Sequence, residues 1–274
     1  MQQDIEGGEK KGVLYIPYDP KLYISNFDAQ LIKDTKLSKK EMRNKIRMRL
    51  NTELHLNAKK TMRTLSVFNL PDSLLLNDLD YIYNSTGYQY KYVPAEKDSS
   101  KEKKGLAKVI DKIKRNKKEK ERGKIKEGQI VSKPVYGERY MDTKLINDNL
   151  IDWLSKKYGT KKFVFINQFD IKKSPDATPQ NLQMGRYNMR IKVHYTIFNH
   201  NEEKIYGSAV YAEFPSYQTN LNKIMNKYFP RLAKEINRHL SMEQQLSKAE
   251  KQKKKKQKKQ AKERREEIEL NFED

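Results

Sequence analysis

The plainest hydrophobic pattern in the chain lies between residues 189 and 214. Over 189–197 apolar residues alternate with four polar ones, Arg190, Lys192, His194 and Thr196. This period of two is typical of a strand with one buried face. A polar turn at 199–203 and a second apolar run at 204–214 complete a predicted antiparallel hairpin. Small residues at 207–209 and 212 leave room for a helix against the second strand.

Four more segments are predicted to be β-rich. The first, 12–20, is broken by Pro17 and Pro20, and 21–28 and 63–71 are also rich in residues that favour strands. The fourth, 161–172, is apolar on both faces near its start, which predicts a central strand in a covered sheet. The tyrosines at 88, 90 and 92 alternate with polar residues and fit either a short strand or a loop.

Helices are predicted where apolar residues recur every three or four positions. The helix over 39–60 begins with a capping box, because Ser38 is followed three residues later by Glu41. A second helix, over 72–85, has two candidate N-caps, Asp72 and Ser73.

Two further helices are predicted in the C-terminal half. One begins after Asp142 or Thr143, ends at Gly159 and carries the apolar residues Ile146, Leu150, Trp153 and Leu154. The other runs from about 219 to 240, with a kink at Pro230.

This element order predicts an α/β (α+β) fold in which a mixed sheet of about five strands is covered by amphipathic helices. We expect a single domain built from 12–94 and 135–241, preceded by a flexible N-terminus at 1–11. A basic low-complexity insertion at 95–134 interrupts it, and a charged C-terminal tail follows at 242–274, either helical or disordered.

The formal net charge of +22 is concentrated in two stretches outside this body. Residues 97–126 hold 14 basic against 5 acidic residues, and 248–265 hold 11 against 2. Neither stretch contains an aromatic residue, so contacts with nucleic acid would reach phosphates without stacking on bases. The simplest interpretation of such runs is a solvated surface. The candidates for binding anionic surfaces are Lys112, Lys114, Arg115, Lys117, Lys118, Lys253, Lys254, Lys255, Lys256, Lys258 and Lys259.

The sequence predicts no active site, and we expect a protein that is not an enzyme and needs no cofactor or metal. The four histidines lie far apart in the sequence, without the short spacing of metal ligands. Neither a nucleophile motif of the form GxSxG nor a glycine-rich phosphate loop occurs. The absence of cysteine removes disulfides and thiolate chemistry and leaves the redox compartment open.

Tyrosine is abundant, with 17 residues, and tyrosines at a surface favour protein interfaces. The candidates for partner binding are Tyr206, Tyr211 and Phe214 in the second strand of the hairpin. Tyr206 and Tyr211 are expected on opposite faces of that strand. Half-buried strands also select tyrosine, so a core role is an equal alternative.

No apolar run approaches the roughly 18 residues of a membrane-spanning helix. The visible N-terminus, MQQDIEGGEKKG, is polar and has no hydrophobic segment of a secretion signal. We therefore expect either a cytoplasmic protein or a mature form that is periplasmic or outer-membrane-associated after removal of its signal.

The segment 146–240 resembles the α/β domain of the TolB N-terminal, CsgG and LpoB group. The resemblance rests on a helix leading into KYGTKKFVFINQF, two strands around the turn in RIKVHYTIFNHNEEKIYGSAVYAEF, and a closing amphipathic helix. It implies a bacterial envelope protein that binds other proteins. The resulting hypothesis is a non-enzymatic adaptor of an envelope assembly. The alternative is a cytosolic nucleic-acid-associated protein that binds phosphates through its basic insertion and tail.

Overall fold

A computed structural model of the protein describes residues 12–69, 72–93, 125–126, 129–130 and 138–241. The predicted flexible N-terminus, most of the predicted insertion and the predicted tail lie outside these residues. The strands are β1 (Val13–Ile16), β2 (Tyr23–Ser25), β3 (Thr64–Ser66), β4 (Thr86–Tyr92), β5 (Ile125–Lys126), β6 (Gln129–Ile130), β7 (Arg139–Leu145), β8 (Lys162–Lys173), β9 (Asn188–Asn199) and β10 (Lys204–Pro215). The helices are α1 (Asp28–Lys33), α2 (Lys39–Ala58), α3 (Asp72–Asn84), α4 (Leu150–Tyr158), α5 (Pro179–Gln183) and α6 (Leu221–Arg238).

Six strands form the main sheet, in the order β10-β9-β8-β1-β3, with β2 also paired to β8. β1 pairs in parallel with β3 and β8, whereas β9 lies between β8 and β10 and is antiparallel to both. The predicted mixed sheet is therefore confirmed, and β8, β9 and β10 all lie in it. Two smaller pairs, β4 with β7 and β5 with β6, lie outside the main sheet.

β1 and β2 occupy successive positions along one edge of β8. β1 pairs with β8 near its start, at 162–165, and β2 pairs further along, at 169–171. Pro17 directly follows β1 and has no backbone N–H to donate to the hydrogen-bond ladder of the sheet. A short 3₁₀ turn at Pro20–Leu22 follows, capped by the Asp19 side chain. Pro17 and Pro20 therefore separate β1 from β2, which pair with successive parts of β8.

Apolar cores lie on both faces of the main sheet. On one face α2 and α6 cover residues such as Val193, Tyr195 and Phe169. On the other face α3 and α4 cover Phe163 and Phe165. The central placement predicted for 161–172 follows from this double cover.

Local sequence signals correctly predict the start of α2 and the end of α4. In the capping box, the Glu41 N–H donates to Ser38 Oγ at 3.2 Å and the Ser38 N–H donates to Glu41 Oε2 at 2.8 Å. Gly159 follows α4 with a φ of 60°, the left-handed conformation that favours glycine.

The N-cap predicted at Asp142 or Thr143 is wrong. Both residues lie inside β7, and α4 begins only at Leu150, after Asn149. Ile146 lies between the two elements and is 63% exposed. An aspartate before an apolar stripe favours a helix start locally, but strand pairing and buried contacts override that preference here.

Candidate functional site: a tyrosine-bearing ribbon

β4 and β7 form a two-stranded antiparallel ribbon, called the ribbon below, which packs against the face of β8, β9 and β10. The tyrosines at 88, 90 and 92 lie on β4, which resolves their alternation as a strand. Tyr90 lies opposite Met141, and Tyr92 lies opposite Arg139. A two-stranded ribbon is marginally stable alone, so its contacts with the main sheet determine its position.

Side chains of the main sheet bind the edge of β7 that faces away from β4. The Met141 N–H donates to His194 Nδ1 at 2.8 Å, and the Thr143 N–H donates to Thr196 Oγ1 at 3.1 Å. The Asn167 side-chain amide donates to the Met141 carbonyl at 2.7 Å. These side chains supply the partners that a neighbouring strand would otherwise provide for buried backbone groups.

A bulge in β8 brings Asn167 into this position. The pairing of β8 with β9 shifts between Ile166 and Gln168, which leaves Asn167 as the extra residue. Its amide also donates to Thr196 Oγ1 at 2.8 Å, and its carbonyl oxygen accepts from Thr143 Oγ1 at 2.5 Å. The bulge changes the phase of side-chain alternation, so Phe169 enters the core on the α2 and α6 side.

Asp142 is the buried carboxylate of this contact, with no solvent exposure. Its Oδ2 lies 2.7 Å from the Lys91 and Lys204 ammonium groups, and its Oδ1 accepts from Thr196 at 2.9 Å. Opposite positive charges offset the cost of removing the carboxylate from water. Gly207 lies so close that an added Cβ would stand 2.9 Å from Asp142 Oδ1, which explains a residue without a side chain there.

His194 and Asp170 form a second buried pair. Because His194 Nδ1 accepts the Met141 N–H, the ring proton of the neutral form lies on Nε2, which is 3.5 Å from Asp170 Oδ2. Burial lowers the pKa of His194, although Asp170 opposes this shift. Burial raises the pKa of Asp170, but His194 and Lys172 outweigh it and hold that pKa below its usual value.

This geometry fits a structural role for the histidine. Both ring nitrogens face protein groups, and His194 is only 2% exposed. A general base needs a nitrogen within hydrogen-bond reach of a substrate. The neutral imidazole therefore holds the ribbon on the sheet. The alternating pattern predicted only one buried face for β9, yet His194 and Thr196 on its polar face are also buried, because the ribbon covers them.

The outward surface of the ribbon carries exposed aromatic side chains. Tyr90 is 49% exposed and Tyr92 is 68% exposed. The Tyr90 hydroxyl donates to Gln168 Oε1 at 3.0 Å, and the Arg139 guanidinium lies 5.2 Å from the centre of the Tyr90 ring. Tyr90 is thus held in one orientation while about half of its surface faces solvent.

The partner-binding residues predicted on β10 are not exposed as expected. Phe214 is 1% exposed and packs edge-on against Phe27, with ring centres 5.7 Å apart. Tyr211 is 8% exposed beneath the Arg190 guanidinium. Tyr206 is half-buried and stacks on His239 with ring centres 4.2 Å apart. Phe214 and Tyr211 are therefore covered in this fold, and their role in partner binding stays a prediction.

The basic residues predicted to bind anionic surfaces all lie outside the described residues. They are Lys112, Lys114, Arg115, Lys117, Lys118, Lys253, Lys254, Lys255, Lys256, Lys258 and Lys259. Their role stays a prediction. The short β5 and β6 pair falls within the predicted insertion.

Among the described residues, no group of three or more histidines, cysteines and carboxylates is arranged to hold a metal ion. Within the same part of the chain, no helix combines the length and the apolar character needed to cross a membrane. Comparison with family models, curated proteins and solved structures finds no match to this chain.

Proposed function

We propose that the protein is a non-enzymatic interaction adaptor of a bacterial envelope assembly, and that partner proteins dock on the exposed tyrosines of the ribbon. One observation carries the proposal: Tyr90 and Tyr92 are 49% and 68% exposed on a strand whose neighbour is anchored by buried hydrogen bonds. Tyrosine combines apolar area with a polar group, which favours protein interfaces.

Anchoring matters because binding costs entropy when flexible side chains or loops become ordered. The ribbon is fixed to the sheet through Asn167, His194 and Thr196, all at most 2% exposed. Tyr90 is further held by its hydrogen bond to Gln168. A partner would therefore meet a surface that is already ordered.

The envelope part of the proposal is supported by the resemblance of 146–240 to the TolB N-terminal, CsgG and LpoB group. Under this proposal the mature protein is periplasmic or outer-membrane-associated. The encoded precursor tests it. A cleavable signal ahead of Gln2 supports the assignment, and a precursor without one contradicts it.

The two lysine-rich stretches are proposed as accessory contacts with anionic lipid or polysaccharide phosphates. Their alternative partner is nucleic acid, bound without sequence preference. Binding of the full chain to random duplex DNA and to anionic vesicles is compared at the same series of salt concentrations, because phosphate contacts of both kinds weaken as salt increases. Tight binding to DNA that exceeds binding to anionic vesicles at the same salt favours the nucleic-acid alternative.

The docking proposal is tested by capture from bacterial envelope extracts with matched variants. We expect the Tyr90→Ser, Tyr92→Ser double variant to lose at least tenfold of the material that the native chain retains. Tyr217→Ser is the control, because Tyr217 is 81% exposed and lies outside the ribbon. An unchanged unfolding midpoint shows that the double variant is folded. Equal capture by the native chain and the double variant contradicts the proposal.

A further inference from the structure

One edge of the ribbon has no strand beside it among the described residues. The backbone groups of Met141 and the Thr143 N–H point to the main sheet, so the residues opposite them, Tyr90 and Tyr88, point their N–H and C=O groups away from β7. The Val93 N–H bonds the Glu138 carbonyl at 2.8 Å, which fixes the same alternation at the end of the ribbon. The backbone of Tyr88, Tyr90 and Tyr92 therefore lines an edge, called the free edge below, that has no strand partner in the described part of the chain.

Such an edge is a template for one more strand. The charged residues around this edge determine which kind of strand fits it. Arg139 and Lys144 are exposed on the ribbon, and Lys91, which is also exposed, shares the buried Asp142 carboxylate with Lys204. The exposed charge of the ribbon is positive, so an extended acidic segment with apolar side chains fits it best.

The chain itself contains a segment of this composition. Residues 267–273, EIELNFE, alternate strictly between polar and apolar, with Ile268, Leu270 and Phe272 at the apolar positions. Three of the four polar positions are glutamates. Alternation over this length is the pattern of a strand with one apolar face.

We propose that residues 267–273 add to the free edge of β4 as a third strand of the ribbon, within the same chain. Ile268, Leu270 and Phe272 then lie beside Tyr90 and Tyr92, since aromatic side chains stabilise apolar cross-strand neighbours. The glutamates alternate onto the face that carries Lys91. The added strand supplies backbone partners for the Tyr88, Tyr90 and Tyr92 positions.

The connection is long enough for this arrangement. The 25 residues between Ser241 and Glu267 span at most about 90 Å when extended, and a body of this size is about 40 Å across. Tethering also raises the local concentration of the segment to the millimolar range for a flexible connection of suitable length. Pairing within one chain is therefore favoured over pairing with a second copy at ordinary protein concentrations.

This inference deepens the proposed function, on which its regulatory meaning rests: the segment would compete with partners for the ribbon. The two are nevertheless tested by different measurements. Edge pairing is measured without any partner, whereas partner capture depends on Tyr90 and Tyr92. If capture fails while the edge is protected, the ribbon is an internal surface only; if the edge is unprotected while capture succeeds, the docking proposal stands alone.

The test is amide hydrogen exchange in the full chain. We expect the Tyr88, Tyr90 and Tyr92 amides to exchange at least tenfold more slowly in the native chain than in the variant Ile268→Ser, Leu270→Ser, Phe272→Ser. The matched control changes Gln252, Gln257 and Gln260 to serine, which alters three positions in the connection and leaves the segment intact. It should keep the slow exchange.

The amides of Gln89 and Lys91 report whether the ribbon itself is folded. They point toward β7, so they should stay protected in all three proteins. Equal exchange of the edge amides in the native chain and the segment variant overturns the proposal. Protection that disappears on dilution also overturns it, since the segment would then pair with a second copy.

Discussion

Asp142 is a carboxylate without solvent contact, held by two lysines on different strands. Lys91 comes from β4 and Lys204 from β10, and each lies 2.7 Å from Oδ2. The aspartate thereby joins the ribbon to the edge strand of the main sheet. Each lysine side chain keeps contact with water, at 44% and 32% exposure, so the ammonium groups are only partly desolvated.

Asp142→Asn keeps the volume of the side chain and removes its charge. We expect the free energy of unfolding to fall by about 2 kcal/mol, less than for a fully buried pair, because both lysines regain water. Urea unfolding measures this loss. Asp152→Asn is the control: its pair with Lys156 is exposed, and its loss should stay below about 0.5 kcal/mol. Equal effects of the two changes would contradict the structural role of Asp142.

Phe214 and Tyr92 give opposite expectations for truncation. Phe214→Ala removes a ring that is 1% exposed and should lower the free energy of unfolding by about 3–5 kcal/mol. Tyr92→Ala removes a ring that is 68% exposed and should change it by less than about 0.5 kcal/mol. Urea denaturation of both variants checks the assignment of core and surface. A small effect at Phe214 would contradict its place in the core.

At the scale of elements, the bulge in β8 determines how the ribbon is held. The side chain of Asn167 by itself makes three of these contacts, with the Met141 carbonyl, the Thr143 hydroxyl and the Thr196 hydroxyl. Without the extra residue, alternation along β8 would move Phe169 to the ribbon face. One irregular position therefore serves both the apolar core and the polar contact.

Asn167→Ala should loosen the ribbon without unfolding the sheet. We expect a loss of about 2 kcal/mol, because the Met141 carbonyl and two hydroxyls lose a buried partner. The Met141 and Thr143 amides should exchange faster, whereas amides between β8 and β9 should not. Asn226→Ala is the control, since Asn226 is exposed and its side-chain oxygen accepts a hydrogen bond from Arg49 at the surface. Unchanged exchange at Met141 would contradict the anchoring role.

The elements differ in how far the sequence determines them. α2 could be predicted because its capping box and apolar stripe are local, and the α4 terminus at Gly159 is equally local. β7 could not be predicted, because its partners are β4, earlier in the chain, and side chains of β8 and β9. The alternation of the β4 tyrosines is visible in the sequence, but this pattern does not predict which strands other elements of the fold leave exposed to solvent. The same limit placed Tyr211 and Phe214 at a surface that helices and neighbouring residues cover.

At the scale of the whole molecule, buried histidines link stability to pH. Burial lowers the pKa of His239 to about 4, and the charge of Arg238 adds to the shift. Burial also lowers the pKa of His194. The unfolded chain binds protons on these histidines near pH 6.5, whereas the folded protein resists protonation at that pH. The contribution of these histidines to the free energy of unfolding is therefore complete above pH 6.5 and is lost as the pH falls toward 4.

We expect the free energy of unfolding to decrease between pH 6.5 and pH 4, by up to about 1.4 kcal/mol per pH unit for each buried histidine. His239→Gln should make this dependence shallower, because one of the titrating groups is removed. Urea unfolding at a series of pH values measures the slope. His200→Gln is the control, since His200 lies in an exposed turn. The same slope in the native chain and His239→Gln would contradict the assignment.

Val93 and Glu138 flank the predicted insertion, and the Val93 N–H donates a hydrogen bond of 2.8 Å to the Glu138 carbonyl. A segment whose ends are already adjacent can be lengthened, shortened or exchanged at small cost, because closing a loop becomes only slowly more expensive with length. Insertion of a fluorescent protein or another folded domain between Val93 and Glu138 should therefore leave the main sheet and its helices intact. The protein can then accept an inserted domain at this site.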